Sequence, residues 1–287
     1  MRRLFAAALV LAALALPAAS ASAAPKGEFA KFANCPTSNS KVEFCLYAES
    51  KSGLFTLGKK TVPVKNPVVL QGGVEANGEI LGPLGFFAAT NGETLTKAAQ
   101  PVPGGLLGVT APTWWPQFLQ DLFNQTINEG FTGVTATVEL AAPASAVKLS
   151  FLNIITQNGT AVGLPVKVKL SNPFLGSSCY IGSNSNPIQL NFTTGTTKPP
   201  PPNTPITGSP GEVGFNEAET ILITANNRLV DNSFAAPGAN GCGGLFSFLI
   251  DPFVNSIVGV PSAAGTNTAI LEGTTYLGYA PAVKASE

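Results

Sequence analysis

Apolar and polar positions alternate with a two-residue period along much of the chain after its first two dozen residues. Residues 41–47, 133–140, 147–152, 164–170, 188–192 and 221–223 follow this pattern, and 61–64 and 67–70 are short apolar runs set apart by Lys65-Asn66 and Gly72-Gly73. A period of two sends successive side chains to opposite faces, so each segment reads as a strand. Gly, Pro and Asn punctuate the intervals. Many short strands at this spacing predict a mainly β fold, an antiparallel sandwich or barrel.

The period changes once in the middle of the chain. From Trp115, apolar residues fall at Phe118, Leu119, Leu122, Phe123 and Ile127, the stripe of one helical face. This predicts a helix with Thr113 as N-cap and Gly130 as its stop, Trp115 buried on the apolar face and Trp114 off it. A second, shorter helix is predicted from Asp251 as N-cap, with Pro252 at its first position, to Gly259. One or two short helices leave the class mainly β.

The first residues have a different character. Arg2 and Arg3 precede an apolar run at 4–16 and then Ala21-Ser22-Ala23, the three regions of a secretory signal peptide, with cleavage expected before Ala24. The run is well short of the ~20 residues that cross a bilayer, so no membrane insertion is expected after cleavage. Residues 24–287 are then the secreted β-rich part, of a length that also admits two β subdomains. Within it, Pro199-Pro200-Pro201-Pro202 fixes an extended stretch without backbone donors, and 196–205 reads as a stiff surface loop and not a central strand.

Composition narrows the chemistry. Charged residues are only 11% of the sequence against 45% hydrophobic, where about a quarter charged is usual. The 16 basic residues lose two with the leader while the 16 acidic residues stay. The resulting net charge of about −2 offers no field for a phosphate backbone, so nucleic acid is not an expected partner. Cys35, Cys45, Cys179 and Cys242 form an even set in an exported chain and read as disulfides. Three pairings are possible. Cys35 with Cys45 and Cys179 with Cys242 is preferred because each bridge stays within one half of the chain.

The chain contains no histidine. That removes Ser-His-Asp and Cys-His catalysis and His-ligated metals. Neither a nucleophile elbow nor a phosphate-binding loop nor a calcium-loop motif is present, and no catalytic residue, metal or cofactor is assigned. The chemistry that survives is a carboxylate pair acting on a glycosidic bond. Glu217 and Glu219 are two apart and would share one face of a strand, with Glu139, Asp231 and Asp251 as partners brought near by folding. Oxygens of Glu217, Asp231 and Asn232 are also of the right kind for calcium. Trp114 could stack on a sugar. Trp114, Glu217 and Glu219 are therefore the candidate ligand-binding residues.

The run Asn172-Pro173-Phe174-Leu175-Gly176-Ser177-Ser178-Cys179-Tyr180-Ile181-Gly182-Ser183, with 190–197, the four prolines, Thr61-Val62-Pro63-Val64 and Val69-Leu70-Gln71-Gly72-Gly73, resembles uncharacterised secreted proteins of actinobacteria. That resemblance implies export from a cell of that kind and implies no activity. The expectation is a secreted, disulfide-stabilised, non-enzymatic protein that binds an extracellular ligand or surface component. The alternative is a carbohydrate-binding module or a carboxylate-pair glycosidase.

Overall fold

The computed structural model describes residues 23–107, 109–129 and 132–287. The leader expected at 1–23 lies outside these residues except for Ala23, and so does the helix stop expected at Gly130. In chain order the strands are β1 (Phe44–Leu57), β2 (Lys60–Pro63), β3 (Val68–Glu75), β4 (Gly85–Ala88), β5 (Gln100–Pro101), β6 (Thr135–Leu140) and β7 (Lys148–Leu149). They continue with β8 (Val162–Ser171), β9 (Tyr180–Ile181), β10 (Ile188–Phe192), β11 (Glu212–Phe215), β12 (Ile221–Asp231), β13 (Ala239–Asn240) and β14 (Thr268–Tyr279). Among the described residues four short α-helices accompany them, α1 (Gln117–Glu129), α2 (Phe151–Thr156), α3 (Ser247–Val258) and α4 (Ala280–Ala285).

Two antiparallel sheets form a sandwich. The first runs β11-β12-β14-β1-β3-β4, with β2 on β1; the second runs β13-β9-β8-β6-β5, with β10 and β7 also on β8. The first sheet takes strands from both ends of the chain and the second from its middle, and one apolar core draws on both. Alternation explains the facing in the second sheet: Ile188, Leu190 and Phe192 of β10 are buried while Gln189 and Asn191 are exposed. A corner joins the sheets, where Thr193 and Val230 exchange backbone hydrogen bonds of 2.9 and 3.0 Å and the Asp231 carboxylate accepts from Asn191 N at 2.7 Å.

The disulfides are Cys35–Cys45 and Cys179–Cys242, as preferred from the sequence. The first sits in a small apolar cluster with Phe32, Val42, Ile221 and Val283, separate from the main core. The second ties the approach to β9 to the end of β13, and both of its cysteines are fully buried. The proline-rich segment is a loop closed at its base by Thr197 N donating to Ile206 O. Asn203 Nδ2 pins it by donating to Asn232 O and Asn267 O at 2.9 and 2.8 Å.

Several elements differ from the sequence expectation. Residues 147–152 divide between the two-residue strand β7 and helix α2, because Ser150 Oγ accepts from Asn153 N at 3.2 Å and caps a helix there. Gly72 and Gly73 lie inside β3 and not in a turn; a Cβ on Gly73 would come 2.6 Å from Val42 Cγ2, so glycine lets the N-terminal loop pack onto the strand. The helix placed at Asp251 starts earlier, at Ser247, and the Asp251 carboxylate instead accepts from Gly241 N and Cys242 N; its end at Gly259, in the left-handed conformation, is as expected. Helix α1 exists, but its stripe is not core: Phe118 and Leu122 are exposed, and Trp115 lies ahead of the helix, half-buried edge-on against Phe123.

Candidate functional site

The inner face of the first sheet carries small residues at its centre. Ala48 of β1 is paired with Thr275 of β14, and Thr275 in turn with Thr224 of β12, so three adjacent strands present a row of small side chains. Larger residues bracket the row on the same strands, Leu46, Leu277 and Leu222 to one side and Leu271 and Leu229 to the other. A bulge between Thr224 and Asn227, with Asn226 at φ 55°, lets both Thr224 and Asn227 line the interior. Opposite stand Val162 and Leu164 of β8, Phe192 of β10, and Phe151 and Ile154 of α2.

Between these walls lies a cavity of about 740 Å³. Protein interiors ordinarily hold few voids larger than a water molecule, so this is not a packing defect. The other end of the sandwich shows what tight packing gives: Leu57, Val64, Val102, Val168 and Leu170 leave only about 60 Å³. Helix α2 helps to hold the cavity walls in place. Its last turn is tied down by Thr194 Oγ1 donating to Ile154 O at 2.8 Å and by Asn153 Nδ2 donating to Thr160 O at 2.8 Å.

The mouth is marked by lining residues that also reach solvent. Ile155 of α2 is 62% exposed and Phe215 of the edge strand β11 61%, with Val213, Glu219 and Tyr279 beside them. The cavity wall is almost wholly hydrocarbon; Glu219 is the charged side chain among its described lining residues, and it sits at the exposed rim. No family model, curated protein or solved structure matches this chain. The cavity's shape and chemistry therefore carry the functional reading.

The residues singled out in the sequence are dispersed. Glu217 and Glu219 are not on a strand; they belong to the exposed turn joining β11 to β12, closed by Asn216 Oδ1 accepting from Thr220 N and Ile221 N, both at 2.8 Å. Only Glu219 touches the cavity. Trp114 is 81% exposed and meets Trp115 edge-on at 6.1 Å, and neither indole lines the cavity. Asp231 closes the opposite end of β12 from Glu219, Glu139 lies in the second sheet, and Asp251 is committed to backbone near Cys242. Among the described residues no group of three or more His, Cys, Asp or Glu side chains could hold a metal ion. Sequence reasoning missed the cavity residues themselves; their signal, small inward positions on neighbouring strands, depends on register.

Asp231 is buried, and burial pushes its carboxyl above the ordinary range, while the backbone N–H groups of Asn191 and Ser233 pull it back. An acid whose folded-state pKa is raised stabilises the fold below its unfolded value, about 3.9, and loses that contribution as pH rises through the folded value. The stability of the protein minus that of Asp231→Asn should therefore fall as pH rises above about 3.9 and then level off. Urea denaturation of both across a pH series measures this, and a difference that grows with pH would contradict it.

Proposed function

We propose that this is an exported, non-enzymatic protein that binds an apolar small molecule in the cavity between its sheets. The cavity carries the reading. Its volume falls within the roughly 300–1,000 Å³ typical of sites that engulf a small ligand, and its wall offers hydrocarbon almost throughout. Binding is driven by removing apolar ligand surface from water, worth about 25 cal/mol per Å² before the costs of association. The strands that form the wall are held before the ligand arrives, so little ordering is needed on binding.

Export is supported by the leader pattern at 1–23 and by two disulfides, which suit an oxidising compartment. The resemblance to secreted actinobacterial proteins points to a source cell of that kind. No helix among the described residues is long and apolar enough to cross a membrane.

Because neither tryptophan lines the cavity, an added probe is needed. Titration with the uncharged fluorophore N-phenyl-1-naphthylamine should give a saturable rise in emission with one site per chain. A linear, non-saturating response would sink the proposal. The second reading, carbohydrate binding, rests on the exposed indole of Trp114. It would take precedence if a glycan array returned saturable binding that Trp114→Ala abolishes.

A further inference from the structure

The cavity is not uniformly apolar. On the wall formed by the first sheet, Asn227 Nδ2 donates to Thr275 Oγ1 at 3.1 Å, to Thr224 O at 3.1 Å and, more weakly, to Thr224 Oγ1 at 3.4 Å. All three residues line the cavity, and Asn227 is buried. These bonds use the two threonine hydroxyls as acceptors, which leaves each hydroxyl hydrogen to donate, and they leave the acceptor Asn227 Oδ1 without a described donor. A polar cluster placed among leucines, without a cation or a carboxylate beside it, suits an uncharged polar group and not an ion.

Resting on the binding role proposed above, we infer that the Thr224–Asn227–Thr275 cluster receives one hydroxyl or carbonyl oxygen of an otherwise hydrocarbon ligand. The ligand class is then an uncharged long-chain or polycyclic alcohol, ketone or ester. The hydroxyl of such a ligand can donate to Asn227 Oδ1 and accept from a threonine, so both of its hydrogen-bonding roles are met. The position matters because two adjacent strands fix it: Thr224 of β12 and Thr275 of β14 are directly paired, and the bulge in β12 brings Asn227 to the same face. A carboxylate seated there would lose its hydration to a neutral cluster, and at the mouth it would meet Glu219 and, on the adjoining turn, Glu217.

The test is displacement of N-phenyl-1-naphthylamine by dodecan-1-ol and by dodecane, from the full oxidised protein and from Thr275→Val, a substitution of nearly equal shape without the hydroxyl. The expected result is that Thr275→Val weakens dodecan-1-ol by about tenfold and leaves dodecane within about twofold, the effect of one hydrogen bond at an otherwise unaltered site. Thr224→Val repeats the measurement should Thr275→Val fail to fold. If alcohol and alkane move together, or neither moves, the cluster does not read a polar group although the cavity still binds. If the fluorophore does not bind the unaltered protein saturably, the binding role itself fails and takes this inference with it.

Discussion

Replacing Ala48 by Trp is expected to weaken binding of N-phenyl-1-naphthylamine by at least about tenfold while leaving the thermal midpoint unchanged or higher. Ala48 stands at one end of the small-residue row, paired with Thr275 on one side and Leu70 on the other. An indole there projects into space that is already open, so it meets none of the crowding that makes enlargement of a packed core cost about 1–3 kcal/mol. It adds apolar contact and subtracts ligand volume. A site that discriminates by fit loses about 10- to 200-fold for a misfit of a single methylene, and an indole is far larger. Parallel measurement of probe affinity and thermal midpoint separates loss of the site from loss of the fold. Unaltered affinity in Ala48→Trp would place the probe elsewhere.

The second large effect concerns stability. Changing both Cys179 and Cys242 to Ala should cost about 4 kcal/mol, from the chain entropy that a closed loop removes from the unfolded state; the two residues are 63 apart in sequence. At this chain length that corresponds to a fall of about 10 °C in Tm. The bridge also anchors other bonds: Cys242 N donates to the Asp251 carboxylate at 2.8 Å, and Leu170 N of β8 to Cys179 O at 2.9 Å. The shorter Cys35–Cys45 loop, with a separation of 10, should contribute about 3 kcal/mol by the same relation. Equilibrium urea unfolding of the two paired variants checks the order. A Cys179/Cys242 variant losing less than the Cys35/Cys45 variant would show that the loop-entropy account fails here.

The strands easiest to read from sequence were those with one wet face. In β10 and in the second half of β8 buried and outward residues strictly alternate, with Lys167 and Lys169 between Val166, Val168 and Leu170. β14 escaped notice although it pairs with β1 over most of its length and forms the centre of the first sheet. Apolar clusters cover that sheet on both faces, with Leu271 and Leu277 on one side and Tyr276 on the other, so alternation is blurred. Residues 147–152 fit a two-residue period by coincidence over a short window, and the deciding feature was a single cap at Ser150. The stripe on α1 identified a helix correctly, but periodicity describes a face and not what covers it.

The functional residues were harder still. Ala48, Thr224 and Thr275 are unremarkable as single letters; their meaning comes from lying in one row across three strands, and no local pattern records that register. Glu217 and Glu219 stood out because a spacing of two would put them on one face of a strand, yet they lie exposed on a turn that Asn216 closes. Scarcity of charge pointed the right way in another respect, since a chain with so few ionic side chains also has few with which to line a cavity.

The cavity's role is tested most directly by native mass spectrometry of the oxidised protein mixed with dodecan-1-ol, compared with Ala48→Trp under identical conditions. One bound molecule per chain is expected in the unaltered protein and none in the variant. No adduct in the unaltered protein, or equal adducts in both, would contradict it.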